Sequence, residues 1–265
     1  MSNVRPSVKV MATTMCAALY AVGCYATAYI PSPWGFGQFR PAVVIPSFFA
    51  AVFGPMPAGV GAAIGTLIAD SVKHGYIYPG SLIAAVPGNF LGFSLFGLVL
   101  RRRFTWGRFV LASHLTLTLA NLVVAALYVL VYKVIYLGQL TGLPLGAMAL
   151  LVFGLTLWWF VTMLPFVLLV TPPLIRAAAT SFPSVVPEDV REHSLRVEAS
   201  NEAFALSMLA PGLVMITLGV SITYMDLGAF IAISFGQGTK TLIEVTSYLS
   251  GAALSIIGST LLVKR

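Results

Sequence analysis

Apolar residues fall in long blocks along the chain, separated by short polar, proline-rich or basic stops. A helix needs about 20 apolar residues to cross a bilayer. The blocks at 8–30, 81–100, 109–132, 145–170, 204–224 and 242–263 approach or exceed that length. Two shorter blocks, 41–53 and 58–69, flank Gly54-Pro55-Met56-Pro57. They read as two shallow helices or as one re-entrant hairpin, and either choice leaves the topology downstream unchanged. A less regular stretch at 226–239 leads into the last block. The pattern predicts an all-α, polytopic helical membrane protein with about eight hydrophobic runs.

Composition sharpens this picture. The 265 residues are 58% hydrophobic and 9% charged, whereas a soluble domain carries about 25% charged residues. The apolar side chains therefore face lipid. The net charge of +7 would suggest nucleic acid in a soluble protein, but here the cations sit in clusters between apolar runs and act as topology signals, so no nucleic-acid partner is expected. With the N-terminus placed inside, eleven of the fifteen Lys and Arg fall on the inner side, among them Arg5, Lys9, Arg101, Arg102, Arg103, Arg108 and Arg176. Only Arg40, Lys73, Lys133 and Lys240 fall outside. The positive-inside rule then predicts a multi-pass protein of the cell membrane with cytoplasmic N- and C-termini. The first run is too long in its apolar part for a cleaved signal peptide and is read as a retained span. The segment 177–203, rich in charges of both signs, is expected to be a partly helical cytoplasmic connector ahead of two additional transmembrane helices within 204–265.

Several side chains need a reason to be where they are. Asp70 ends an apolar run on the outer side, near Lys73 and His74, and charges near a membrane core are costly and often functional. It is either an interfacial acid paired with Lys73 or a ligand contact. Arg40, in the other outer loop, can pair with Asp70, close the loop or hold an anionic group, since its planar fork donates several hydrogen bonds. Asn89 and Asn121 lie within spans as interhelical clamps or ligand contacts, the clamp being preferred for Asn121. Trp158 and Trp159 point about 100° apart on a helix, so one is expected to face lipid and the other to stack on a flat ligand; Trp158 is taken as the candidate. Trp34, Phe36, Phe39, Tyr76, Tyr78 and Tyr136 gather on the outer side. They read as an aromatic belt or, with Gln38, Arg40, Asp70 and Asn89, as the wall of a pocket that is mostly apolar with a few placed polar groups.

Small residues at a spacing of four, Ala17 with Ala21 and Gly61 with Gly65, allow close helix approach in lipid, either within the monomer or against another subunit. Lys240 and Glu244 are spaced for a local ion pair. Cys16 and Cys24 are read as small packing residues. His74 has no second histidine at metal-ligand spacing, so no metal site is expected, and no cofactor. The chain carries no P-loop motif, no H-E-x-x-H and no G-x-S-x-G, so it is expected not to be an enzyme, and active transport would need ion coupling or a partner that hydrolyses ATP.

The runs Gly37-Gln38-Phe39-Arg40-Pro41, Phe53-Gly54-Pro55, Gly61 to Asp70 and Gly75-Tyr76-Ile77-Tyr78-Pro79-Gly80, with the basic stop Arg101-Arg102-Arg103, resemble the substrate-binding S components of energy-coupling factor (ECF) transporters. The resemblance implies a six-helix substrate-binding module over 1–176. It implies a vitamin or related micronutrient bound near the outer face, under the loop between the first two helices. It also implies that Ala17 and Ala21 dock on a membrane-embedded T-type subunit, with two ABC ATPases completing the importer. Flavin, thiamine-like, pantothenate-like and nucleobase-like solutes all suit the ring-lined pocket. The alternative is a stand-alone secondary carrier or channel for a small organic solute. The expected substrate-binding set is Trp34, Phe36, Gln38, Arg40, Asp70, His74, Tyr76, Tyr78, Asn89 and Trp158. The C-terminal connector and two extra runs depart from the six-helix pattern.

Overall fold

A computed structural model describes residues 6–196 and 201–263; Arg5, Glu198, Lys264 and Arg265 lie outside the described residues. The helices are α1 (Pro6–Ala26), α2 (Pro41–Phe53), α3 (Pro55–His74), α4 (Ser81–Arg101), α5 (Trp106–Tyr136), α6 (Leu145–Ser181), α7 (Glu188–Arg196), α8 (Asn201–Tyr224), α9 (Asp226–Phe235) and α10 (Gln237–Val263). Among the described residues six helices, α1, α4, α5, α6, α8 and α10, are long and apolar enough to cross a membrane. The chain is an all-α polytopic membrane protein, and its large exposed apolar side chains, such as Val10, Val22, Leu91 and Phe153, are what lipid-facing surfaces require.

The two short runs resolve into two separate helices. α2 is short and apolar. α3 reaches 20 residues, one turn past Asp70, where its polar end continues through Lys73 and His74. It stops because Gly75 adopts a left-handed conformation (φ 79°) and donates its N–H to the Ser71 carbonyl, a common helix ending. α1 and α3 lie in close contact: a Cβ on Gly65 would stand 2.7 Å from the Ala17 carbonyl oxygen, and one on Gly61 would stand 2.6 Å from Cys16 Cβ. Ala17 and Ala21 are buried, and Ala17 lies against the protein's own third helix. In lipid a small-residue face packs wherever a complementary helix lies, and within this chain α3 meets that face at Ala17. Cys16 and Cys24 are free and buried, as packing residues.

α6 runs for 37 residues and holds Pro165, Pro172 and Pro173 within it, so the prolines do not end it as the sequence suggests. Its inner face, Val167, Leu168, Thr171, Pro172 and Ile175, is buried, and such packing sustains a helix past prolines in a membrane protein. At 1.5 Å per residue it spans about 55 Å, more than the ~30 Å hydrocarbon core, so it projects beyond one end. There the connector folds back onto the bundle. Asp189 accepts the Phe104 backbone N–H at 3.2 Å, Arg176 donates to the Ser194 carbonyl at 3.0 Å, and Val186 and Val190 are buried. The connector is thus a docked element in its described part.

α8 and α10 pair as a hairpin bridged by α9. The contact relies on glycines that the sequence reading did not single out: a Cβ on Gly212 would lie 3.0 Å from the Gly251 carbonyl, and one on Gly251 would lie 2.9 Å from the Gly212 carbonyl. Lys240 and Glu244 pair at 2.6 Å, and Thr223 donates to Glu244 at 2.6 Å.

Candidate functional site

One end of the α1–α6 bundle encloses a cavity of about 250 Å³, slightly under the ~300–1,000 Å³ of typical small-molecule sites. The C-terminal halves of α1, α3 and α5, the start of α4 and the loop before α2 all border it. The basic residues Arg101, Arg102, Arg103, Arg108 and Arg176 lie at the other end of the same helices. The borders formed by α4 and α5 are irregular: α4 opens with a π-helical turn over Ser81–Ala85, and α5 ends in one over Leu127–Tyr136. Such widened turns often occur at functional sites, and here they carry Ser81 and Tyr128 to the wall.

The loop 27–40 is closed on itself. Phe39 N–H donates to the Ile30 carbonyl at 2.9 Å and Ser32 N–H to the Gly37 carbonyl at 3.2 Å, while Thr27 donates its hydroxyl to the Phe39 carbonyl at 2.7 Å. Its last residues turn inward, so Phe36, Gly37, Gln38 and Arg40 line the cavity. Gly37 is required at its position twice over. Its φ is +74°, and a Cβ there would overlap the Trp159 ring. The close approach lets Trp159 Nε1 donate to the Gln38 carbonyl at 3.0 Å.

Charge at the site is concentrated in one pair. Arg40 contacts Asp70 at 2.5 Å, with side chains 11% and 6% exposed, and also donates to Thr66. Asp70 thus pairs with Arg40 across two elements, not with its neighbour Lys73, which instead donates to the Ala28 carbonyl at 2.5 Å. Burial works against the Arg40 charge, but the Asp70 carboxylate, with smaller contributions from Cys24 and Tyr20, more than offsets it and holds the guanidinium above its ordinary value. Gln38 Nε2 approaches the same carboxylate at 3.5 Å. That leaves Gln38 Oε1 buried without a hydrogen-bond partner, as is Ser81 Oγ, and both residues line the cavity. Buried polar atoms are ordinarily satisfied, so these two are open positions for a polar solute.

The remaining wall combines rings and amides. His74 Nδ1–H donates to the Asp70 carbonyl at 2.7 Å, and the ring stacks on Tyr78 at 3.8 Å with the planes 1° apart. Tyr78 meets the Tyr128 hydroxyl at 3.2 Å; burial, reinforced by that hydrogen bond, raises the Tyr78 phenol above its ordinary value, so it stays neutral. Asn89 accepts from the Tyr20 hydroxyl at 3.2 Å and donates to the Ala85 carbonyl at 2.7 Å. Asn121 borders the same space and donates across to Met163 Sδ of α6 at 3.7 Å, so it holds a wall position while making an interhelical contact.

The cavity brings together Phe36, Gln38, Arg40, Asp70, His74, Tyr78 and Asn89 of the expected set. Three others lie elsewhere. Tyr76 is 59% exposed and does not border this cavity. Trp34 and Trp158 lie together in a separate crevice against the C-terminal hairpin. The tryptophan on the cavity wall is Trp159, and neither member of the pair faces lipid, since each is 6% exposed. The helix period separated the two rings correctly but could not say which pointed inward, because α6 is buried on both sides, by the bundle and by the hairpin. Tyr20, Ser81, Tyr128 and Met163 were not anticipated, and Trp159 was named only as the alternative to Trp158. Tyr20 and Ser81 gave no signal, being single polar atoms among apolar neighbours. Among the described residues no group of His, Cys, Asp and Glu is arranged to hold a metal ion.

A helical membrane bundle with a ring-lined cavity at one end and a basic opposite end defines a solute-binding membrane protein. A family model described as ECF-type riboflavin transporter, S component, matches residues 6–179, which covers α1 to nearly the end of α6, and the chain belongs to that family. No match to a curated protein or to a solved structure was found.

Proposed function

We propose that this protein captures a flavin, riboflavin foremost, as the membrane-embedded substrate-binding subunit of an ECF-type importer. The carrying observation is the cavity itself. It is flanked by flat side chains, Trp159, Phe36 and Tyr128, and offers Asn89, Asn121 and the unpartnered Gln38 Oε1 and Ser81 Oγ to a polar ring edge. A flat, heteroatom-rimmed ring system fits that division, because stacking against aromatic faces supplies contact area while a few placed polar groups orient the ligand. The family match over residues 6–179 supports riboflavin over the thiamine-like, pantothenate-like and nucleobase-like alternatives.

The basic end faces the cytoplasm on this reading, following the bias of Lys and Arg, and the cavity opens to the exterior. The chain has no nucleotide-binding motif, so uptake is driven by a T-type subunit and two ABC ATPases. Because Ala17 and Ala21 are buried, any docking through α1 uses its outward face. Calorimetric titration of the purified chain with riboflavin, thiamine and pantothenate tests the solute: riboflavin is expected to bind and the other two to be excluded. Binding of thiamine or pantothenate in preference to riboflavin would reassign it. Co-purification with ATPases from the native membrane tests the partners, and riboflavin uptake by the chain alone in liposomes would favour the stand-alone carrier.

A further inference from the structure

The hairpin α8–α10 lies beyond the residues matched to the family, yet it reaches the loop that closes the cavity. Trp34, in that loop, is 7% exposed. One side of its indole lies over Gly154 of α6, where any Cβ would overlap the ring. Phe235, the last residue of α9, meets the indole edge-to-face at 5.4 Å and 87°. Met215 and Ile243 of the hairpin close the same crevice. Three residues further on, Gly37 seats against Trp159, and Gln38 accepts from it. The loop is therefore anchored twice on α6, by Trp159 on the cavity side and by Trp34 on the hairpin side. Its internal hydrogen bonds, Phe39 to Ile30 and Ser32 to Gly37, tie the two anchors into one unit, so freeing the outer anchor loosens the inner one.

We propose that the C-terminal hairpin is a retaining clamp: Phe235 holds Trp34 over Gly154 and thereby sets how long the loop keeps Gln38 and Arg40 over a bound solute. Phe235 is a positioning residue; it does not border the cavity. This proposal rests on the cavity's being the solute site. It predicts that the hairpin governs the release rate more than the association rate, because the clamp acts on the closed loop.

The test uses the full chain in nanodiscs, as wild type, Phe235→Ala and Phe235→Tyr. Amide hydrogen exchange is followed across the loop without ligand, and riboflavin association and release are followed by stopped-flow flavin fluorescence. Phe235→Ala is expected to speed exchange in residues 32–40 and to speed release by about 3- to 10-fold, the range set by loss of one edge-to-face ring pair. Exchange in α1 and α3 should stay unchanged, and Phe235→Tyr, which keeps the ring, should restore both readouts. Unchanged loop exchange in Phe235→Ala overturns the clamp whether or not a ligand binds. Faster exchange with an unchanged release rate overturns its role in retention. If the wild type binds no riboflavin, the functional reading falls, and loop exchange alone decides the clamp.

Discussion

Breaking the Arg40–Asp70 pair should cost more than removing it. The two side chains meet at 2.5 Å and are 11% and 6% exposed, so each charge has lost most of its water. In Asp70→Asn the guanidinium keeps Thr66 as a partner but loses its counter-charge. Stranding one member of a buried pair typically costs 3–5 kcal/mol. The pair borders a cavity that water can enter, which places the expected loss near the lower end, about 3 kcal/mol or about 100-fold in a folding equilibrium. The neutral contact from Gln38, at 3.5 Å, is too long to contribute much of this. Arg40→Met strands the carboxylate instead and should cost a similar amount. The double variant Arg40→Met/Asp70→Leu removes both charges, and apolar replacements of a buried pair are often neutral or stabilising. Thermal unfolding of the four proteins in one detergent, without ligand, measures this. The double variant should unfold at a higher temperature than either single variant. A double variant whose loss equals the sum of the single losses would refute the coupling, and with it the claim that this pair fastens the loop to α3.

Three other outcomes follow from the same geometry. Trp159→Ala removes both a cavity wall and the donor to Gln38, and should weaken riboflavin binding at least about 10-fold by calorimetry, given about 1.4 kcal/mol per decade, whereas Tyr76→Ala should change it by less than about twofold. Ala17→Trp forces a large ring between α1 and α3, where overpacking costs about 1–3 kcal/mol or more; it should lower thermal stability and ligand binding together, and a variant that binds normally would show that α1 and α3 are not in close contact. Asp189→Ala removes the acceptor for the Phe104 N–H, a charged hydrogen bond worth about 1.5–3 kcal/mol. It should speed proteolysis within 182–196 while leaving riboflavin affinity within about twofold.

Much of the fold was legible because lipid imposes a simple rule: apolar blocks of sufficient length become helices, and the stops between them are basic, Pro- or Gly-rich. The rule failed where packing replaced lipid. Pro172-Pro173 read as an end, but the buried inner face of α6 carries the helix through. A small-residue face such as Ala17 and Ala21 looks the same whichever helix it meets, so the pattern alone names no partner for it. Of the site, Arg40 and Asp70 stood out, since charges in an apolar setting are rare and demand a partner. Tyr20, Ser81 and Tyr128 did not, because their position depends on two π-helical turns and on how five helix ends converge. Trp158 was chosen over Trp159 without a periodicity argument to separate them, and the hairpin that covers Trp158 could not be placed on α6 from its apolar pattern alone.

Riboflavin titration of the wild-type chain and of Gly37→Leu, read by quenching of flavin fluorescence, tests most directly whether the cavity beneath the α1–α2 loop is the solute site. Saturable quenching at one flavin per wild-type chain is expected. That quenching should be lost in Gly37→Leu, where a side chain would overlap Trp159 from a left-handed backbone position, while the variant remains monodisperse. Equal quenching in both proteins would contradict this site and place the solute elsewhere in the bundle.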